Sequence, residues 1–463
     1  MLSSFLALAS SYGYPYCSAT NSLGNKFRYD YNPGISMNRA PNKKETDLLS
    51  GDLFSGAGGL SIGFHTAGFT PVFFNDIDLD SANTFHANFP AATPFVGPIQ
   101  ELSASIIRER TRLGAATLDV MIGGPPCQGF SINAPIRSQE DPRNHLFHHY
   151  VRLVLEGLRP NFVVMENVPG LVSLDGGKSL ESVLAAFEKA GYSVKFKILN
   201  AAHYGVPQER WRLVFLGTCL PGVEPSFPLP THYSLQRPNF TGGRDYTFEH
   251  AIGGAKQISF LHENLMKPAT IGEAISDLPS IPSGGGAGEM PYWKPARNCY
   301  QEMLREGASG IFNHECAGVA PINIQRISHV KPGGSWRDIP HKLLPKGLQR
   351  ARRSDHTKRY GRLDPEGLSG TILTKCDPHW GTFFHYAQDR IISIREAARL
   401  QSFPDWFRFT GSKVEQYRQV GNAVPPLLAR ALAEHIKTLI KENQPKRTVK
   451  PYKERAYATS QGK

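Results

Sequence analysis

The sequence is poor in cysteine. Its 463 residues hold six, Cys17, Cys127, Cys219, Cys299, Cys316 and Cys376, and no two form a Cys-x-x-Cys pair. That scatter argues against a zinc site or a disulfide framework, and for a reducing compartment. Long apolar runs are missing as well: nothing approaches the ~18 residues of a membrane span. Residues 1–10 are mildly apolar but carry no Lys or Arg ahead of the apolar stretch, so they read poorly as a signal peptide. Acid is in deficit, with 40 Asp+Glu against 52 Lys+Arg and a formal charge of +12. A surplus of that size fits a polyanionic partner, nucleic acid first. No internal repeat is visible, and the length allows two or three domains with a large core.

Residues 1–46 are rich in Ser, Tyr, Asn and Gly without a period and read as a flexible N-terminal extension. Beyond them, strand-like runs at 48–54, 71–75, 118–122, 161–165, 194–199 and 212–217 alternate with helical stretches at 100–112, 145–158 and 179–190. This predicts an α/β fold, a mostly parallel sheet with helices on both faces, and assigns 47–220 to a catalytic and cofactor-binding domain. From 221 to 385, Pro and Gly are frequent and basic residues cluster at 350–359, which reads as a smaller, irregular domain. The chain returns to the first domain over 386–440. A helix start lies at Ser393-Ile394-Arg395-Glu396 and a last helix runs from Pro425 to Ile440. Residues 441–463 read as a basic, disordered tail.

Cys127 lies in Gly123-Gly124-Pro125-Pro126-Cys127-Gln128-Gly129-Phe130-Ser131, directly after the apolar run 118–122. A stiff Pro-Pro loop leaving a buried strand holds a side chain above the carboxyl edge of the sheet, where α/β proteins keep their sites. Inert cysteines sit in apolar periodic segments, so this one reads as a nucleophile. Asp52-Leu53-Phe54-Ser55-Gly56-Ala57-Gly58-Gly59 follows the first strand and opens a helix, a place where glycines let a ligand approach backbone N–H groups. Asp76 follows Gly56 by 76 − 56 = 20 residues, the usual spacing of a ribose-binding acid. A nucleoside cofactor fits. A nicotinamide dinucleotide is the rival, disfavoured by the Gly-x-Gly-Gly spacing and by Phe54, on which a base can stack; a plain tight turn is the bland alternative. Glu166 ends the strand-like run 162–165, and Arg210 and Arg212 start another at i, i+2. Taken singly, these are equally a cap and a solvated strand edge.

In their order, these segments resemble the DNA (cytosine-5)-methyltransferase family, in the form found in prokaryotic restriction–modification systems. The matching blocks are 52–64, Pro125-Pro126-Cys127-Gln128, Glu166-Asn167-Val168, Gln208-x-Arg210-x-Arg212, Arg395-Glu396-x-x-Arg399-x-Gln401 and Gly421-Asn422-x-Val424, over about 47–440. The resemblance implies a Rossmann-like, S-adenosylmethionine-dependent sheet with a target-recognition domain at 221–385. It implies methyl transfer to carbon 5 of a flipped-out cytosine in a specific double-stranded DNA sequence, with Cys127 adding to carbon 6. Glu166 matches the carboxyl at ring nitrogen 3, Arg212 the contact to the cytosine carbonyl, and Arg210 a neighbour that keeps the pocket electropositive. For the cofactor, Phe54 would stack on the adenine, and Ser55, Gly56, Gly58 and Gly59 would line the methionine part. Asp76 would bind the ribose and Ile77 cover the adenine, with Ile99, Pro126, Asn422 and Val424 completing the site. Gln128, Ser131, Arg359, Arg362 and Thr371 are the expected DNA contacts. Pro98 stands where relatives often carry an Asp for the adenine amino group, which moves that recognition to backbone near Ile99. No metal is expected.

A monomer, a cognate restriction endonuclease as partner, and a cytoplasmic site in a bacterium or a nuclear one in a eukaryote follow from the same resemblance. Two other readings stay open. One is an RNA methyltransferase of the same fold, disfavoured by the long recognition region. The other is a DNA-binding protein that has kept the fold without its activity, disfavoured by intact Cys127, Glu166 and Arg212.

Overall fold

The computed structural model describes residues 48–111, 113, 117–126, 146–234, 238, 240, 243–247, 265–355 and 357–443, with backbone alone at 155–156 and 174–175. Strands β1 (Leu48–Leu53), β2 (Phe69–Asp76), β3 (Thr93–Val96), β4 (Val120–Gly123), β5 (Phe162–Asn167), β6 (Ser193–Asn200) and β7 (Trp211–Thr218) form a seven-stranded sheet. Its order is β3-β2-β1-β4-β5-β7-β6. Neighbours from β3 to β5 run parallel, and β7 inserts antiparallel between β5 and β6. The expected α/β class is the observed one. Six of the strands coincide with the expected runs. β3 was not anticipated, since four residues containing a proline and only one buried side chain make no apolar run.

Side chains alternate between two cores because a strand presents successive residues to opposite faces. Val120, Ile122 and Val164 pack on one face with Leu60, Ile62, Phe64, Leu428 and Leu432. These come from helices whose residues include α1 (Gly59–Thr66) and the C-terminal helix. Met121, Val163 and Met165 pack on the other face with residues of α3 (Ala104–Arg110), α4 (Leu146–Leu153) and α5 (Lys178–Lys189); α2 (Leu79–Asn88) adds Phe85 to the first face. With most strands covered on both sides, their sequences are continuous apolar runs rather than alternating ones.

Packing cuts across the boundaries expected at 221 and 385. Helices α6 (Ile271–Ile275) and α7 (Cys299–Arg305) contribute Ile271, Ala274, Ile275 and Leu304 to the first of the two large cores, as do Ile372 and Phe383. A separate third core is built from Ile281, Cys316, Ile327, Trp336, Leu348, Tyr360, Phe384 and Ile391. Helix α8 (Ile394–Leu400) gives Ile394, Ala397, Ala398 and Leu400 to the first core, and it starts with a capping box in which Ser393 Oγ accepts Glu396 N–H at 3.0 Å and Glu396 accepts Ser393 N–H at 2.7 Å. All seven α8 residues are buried, and its charges are satisfied internally. Arg399 donates to Asp277 at 2.5 Å and to Asp405 at 2.6 Å, and Arg390 donates to Glu396 at 2.7 Å. Arg395 donates to the carbonyls of Phe312 at 2.7 Å and Pro404 at 3.0 Å. Helix α9 (Lys413–Asn422) leads into α10 (Pro426–Asn443), which runs three residues past the expected end of the last helix and into the expected tail. No described helix is long and apolar enough to cross a membrane.

Candidate active site

Strand order reverses between β1 and β4, so the loops leaving their carboxyl ends border a crevice. Leu53 and Gly123 close the two strands as register partners. A Cβ on Gly123 would sit 2.4 Å from the Leu53 carbonyl oxygen, so only glycine lets the strands end this close.

After β1 the chain turns through Phe54 (φ 55°), Gly56 (φ 53°) and Gly58 (φ 98°) before α1 begins. Phe54 is half-buried and holds a left-handed backbone, a strain worth of order 1–3 kcal/mol that clusters at ligand sites. Gly58 and Gly59 are small because the fold is tight there: a Cβ on Gly59 would meet the Val424 carbonyl oxygen at 2.4 Å, and one on Gly58 would meet the Phe85 ring at 2.9 Å. Gly56 is different, with open space where a Cβ would go. Its N–H donates to Asp76 Oδ2 at 2.7 Å, while Asp78 N–H donates to Asp76 Oδ1 at 2.8 Å. Burial raises the Asp76 pKa and these two N–H groups oppose it. Ile77 stands 73% exposed beside this carboxylate.

On the other side of the crevice, Gly124 passes close over Glu166: a Cβ there would lie 3.0 Å from Glu166 Oε2. Asn167 Nδ2 donates to the Pro125 carbonyl at 3.1 Å, which ties the Pro-Pro loop to the end of β5. Glu166 itself accepts from Arg212 Nε at 2.6 Å, with side chains 14% and 13% exposed. The pair forms across an antiparallel ladder: Glu166 is in register with Val214, so Arg212 is its diagonal neighbour on the same face.

A family model for the C-5 cytosine-specific DNA methylase matches residues 49–438. The chain belongs to that family. It is 36% identical over 387 residues, 83% of this chain and 85% of the other, to Type II methyltransferase M1.HphI of Haemophilus parahaemolyticus. It is 32% identical to Type II methyltransferase M.AgeI of Thalassovita gelatinovora, over 84% of this chain and 99% of that one. Among solved structures, it superposes with a TM-score of 0.64 and 26% identity on one described as a DNA modification methyltransferase encoded within a prophage (E. coli), covering 85% of this chain and 99% of that one. The chain is thus a DNA (cytosine-5)-methyltransferase, of a family whose methyl donor is S-adenosylmethionine.

The residues of this methylase fit that donor. Open space at Gly56 and Gly97, an exposed Ile77, a half-buried Phe54 and a carboxylate at Asp76 border one cradle above β1 and β2. Gly97 (φ 142°) is held by its N–H to the Asp76 carbonyl at 2.9 Å, and Asn75 Nδ2 donates to the carbonyls of Phe95 and Gly97. Pro98 adds neither a donor nor a side-chain acceptor. Ile99 is 3% exposed, with its side chain in the core and its carbonyl taken by Arg152 Nη2 at 3.1 Å, so its side chain does not face the cradle. Asn422 is exposed at the end of α9, and Val424 is buried against α1.

Several expected site residues sit elsewhere. Arg210, 1% exposed, points away from Glu166 and donates to the carbonyls of Ile372 at 3.1 Å and Gly421 at 2.7 Å. It is a tie between the sheet and the segments that close over it. Burial first, then Arg212, press its pKa well below the usual arginine value, with Glu166 opposing. Arg362, expected on DNA, is 6% exposed and donates to the carbonyls of Ile327 at 2.7 Å and His385 at 3.1 Å, and to Asp389 at 2.5 Å. A guanidinium with those partners is part of the third core's scaffold, not a surface for phosphate. Thr371 Oγ donates to the Glu209 carbonyl at 3.0 Å and Arg359 is half-buried. Cys127, Gln128 and Ser131 lie outside the described residues, and Pro126, half-buried, is the last described residue before them.

Two residues carry more than their sequence signal revealed. Gln208 is fully buried: its amide donates to the Leu400 carbonyl and to Gln401 Oε1, both at 3.1 Å, and accepts Ile372 N–H at 2.9 Å. Its place in the Gln-x-Arg-x-Arg block was the available clue. Asp52, 1% exposed, accepts Ser61 Oγ–H at 2.7 Å; burial pushes its pKa up to about 8, with Ser61 opposing and Asp76 adding. An acid at the end of an apolar strand is its only mark in the sequence.

Proposed function

We propose that this methylase modifies carbon 5 of a cytosine flipped out of a specific double-stranded DNA sequence, through a covalent bond from Cys127 to carbon 6. The observation that carries the reading is the Glu166–Arg212 pair, 2.6 Å apart at the edge of the crevice and beside the Pro125-Pro126 loop that leads to Cys127. Cytosine carbon 5 is a weak nucleophile. A thiolate adding at carbon 6 moves the carbon 5–carbon 6 π electrons onto carbon 5 and the ring, making an enamine. Glu166, protonated on the oxygen that Arg212 does not hold, donates to ring nitrogen 3 and so stabilises the charge that develops there. Arg212, held by Glu166, donates to the ring carbonyl and favours the thiolate form of Cys127. S-adenosylmethionine, when bound, supplies an electrophilic methyl on a sulfonium to the activated carbon 5. Loss of the carbon 5 proton to a base then restores the double bond as the sulfur–carbon 6 bond breaks and the thiolate leaves.

In the same reading, Phe54 stacks on the adenine, Asp76 accepts from the ribose hydroxyls, Ile77 covers the base, and Gly56, Gly58 and Ser55 border the methionine part. Asn422 and Val424 close the cradle. Gln128, Ser131, Arg359 and Thr371 contact the duplex, where phosphate contacts position the protein and base contacts specify the sequence. The chain works as a monomer. Because the relatives named above are Type II methyltransferases, a restriction endonuclease reading the same site is the partner we propose.

The test is methyl transfer from labelled S-adenosylmethionine to a mixed-sequence duplex, followed by bisulfite sequencing. The expected result is 5-methylcytosine in one recurring context. Transfer to RNA and not to duplex DNA would overturn the reading.

A further inference from the structure

Trp380 is 64% exposed, yet the loop that carries it is pinned. Trp380 N–H donates to the Asp377 carbonyl at 3.0 Å, and Tyr360 N–H donates to the Pro378 carbonyl at 2.7 Å. The His379 ring is fixed at both nitrogens, 2.9 Å from Asp377 Oδ1 and 2.7 Å from the hydroxyl of Tyr360, which is itself fully buried. The Arg359 guanidinium lies 5.4 Å from the centre of the Trp380 ring. Strands Gly361–Arg362 and Thr382–Phe384 run parallel, so the segments entering them emerge at one edge. That edge therefore gathers Lys358, Arg359, His379 and Trp380, with the basic run 350–353 upstream and exposed Lys375 nearby in the chain. A single exposed aromatic usually needs no explanation. An exposed indole on a loop held by four hydrogen bonds, with an arginine beside its ring on a basic edge, is a different object. The backbone that presents the ring is held before anything binds, and a planar face beside cations is what an unpaired base stacks on.

Trp380 is also close to the reaction in the chain. Ile372 is bound by Gln208 and Arg210, and a Cβ on Gly421 would lie 2.4 Å from the Leu373 carbonyl oxygen. From Leu373 to Trp380 the chain has seven residues, which span at most about 25 Å. That is about seven base steps of a duplex strand. We propose that Trp380, braced by Arg359, stacks on a base of the target duplex near the flipped cytosine and helps to hold the opened helix; the proposal rests on the function proposed above. Arg359 takes the neighbouring phosphate.

The experiment starts from the methylated context mapped with the unaltered protein. Duplexes containing that context carry 2-aminopurine at successive positions within seven base pairs of the modified cytosine. The expected result is a fluorescence change on binding at one of these positions, retained in Trp380→Phe and lost in Trp380→Ala. With the Ala variant, kcat/KM for DNA falls about tenfold or more, while the Kd for S-adenosylmethionine and the Tm stay those of the parent. A Trp380→Ala protein that keeps both the fluorescence change and kcat/KM overturns the proposal. So does parallel loss of Tm and cofactor binding in both variants, which is the mark of a structural role. If the parent methylates no duplex, the proposed function itself falls; an active parent matched by Trp380→Ala removes this inference alone.

Discussion

Arg212 and Glu166 form an ion pair at 2.6 Å on one face of adjacent antiparallel strands, each retaining only a seventh of its exposure. In the proposed reaction Arg212 offers guanidinium donors beside a carboxyl that donates when protonated, and two donors side by side complement nitrogen 3 and the carbonyl of cytosine, which are both acceptors. Arg212→Ala is expected to lower kcat about 100-fold, the lower range for a positioned polar group in a transition state, with the duplex Kd nearly unchanged. Equal losses in kcat and in duplex binding, measured by single-turnover kinetics and anisotropy, would move Arg212 out of the base pocket.

Cys127→Ser is expected to bind S-adenosylmethionine as the parent does and to transfer no measurable methyl group, because a hydroxyl is a far weaker nucleophile than a thiolate at neutral pH. Calorimetry reads the first quantity and labelled transfer the second. Retained transfer would sink the assignment of the nucleophile.

Gly421→Ala places a methyl 2.4 Å from the Leu373 carbonyl carbon and 2.5 Å from Thr374 N, backbone that cannot turn aside. Overpacking of this kind costs about 1–3 kcal/mol. Urea unfolding is expected to show that loss together with reduced methyl transfer, since Arg210 also bonds the Gly421 carbonyl. A variant as stable as the parent would mean that the 371–374 segment shifts freely.

Arg399→Met leaves Asp277 and Asp405 as buried carboxylates without their shared cation. Breaking a buried pair in this way costs about 3–5 kcal/mol. Denaturant titration is expected to show a loss in that range, and a loss below about 1 kcal/mol would show that Arg305 and Arg395 compensate.

His385 couples stability to pH. Its Nδ1 accepts the N–H groups of Ala387 at 3.0 Å and Gln388 at 3.1 Å, which requires the neutral ring on that side. Burial, with Arg390 adding and Glu396 opposing, holds its pKa at about 4 against an ordinary 6.5. Below 6.5 the unfolded chain takes up a proton that the folded one refuses, so stability is complete above 6.5 and falls as pH drops toward 4. The effect is at most about 3 kcal/mol. Denaturation midpoints between pH 7 and 4 should fall more steeply for the parent than for His385→Asn; identical slopes would remove His385 from the account.

The segments proposed for the site were legible in the residues because covalent neighbours carry their signals. The spacing of Gly56 and Asp76 is matched by the Gly56 N–H to Asp76 bond, and Pro125 is tied to the end of β5 through Asn167. The helix start at Ser393 was readable for the same reason: a capping box needs only residues i and i+3. β3 was not readable, since four residues with one buried side chain owe their conformation to pairing with β2.

The difference between Arg210 and Arg212 marks the limit. Two arginines at i, i+2 share a face in sequence, and nothing local separates them. The tertiary structure sends one to Glu166 and the other to carbonyls of Ile372 and Gly421, residues 162 and 211 positions away. Arg362 follows the same rule, an arginine in a basic stretch that the fold turns inward to Asp389 and two carbonyls. The sequence by itself determined the α/β class, the strand order of the chemistry-bearing loops along the chain, and the family. Which charged groups face the crevice and which close the interior was decided only by tertiary structure, because a buried guanidinium must find acceptors, and those acceptors come from distant segments.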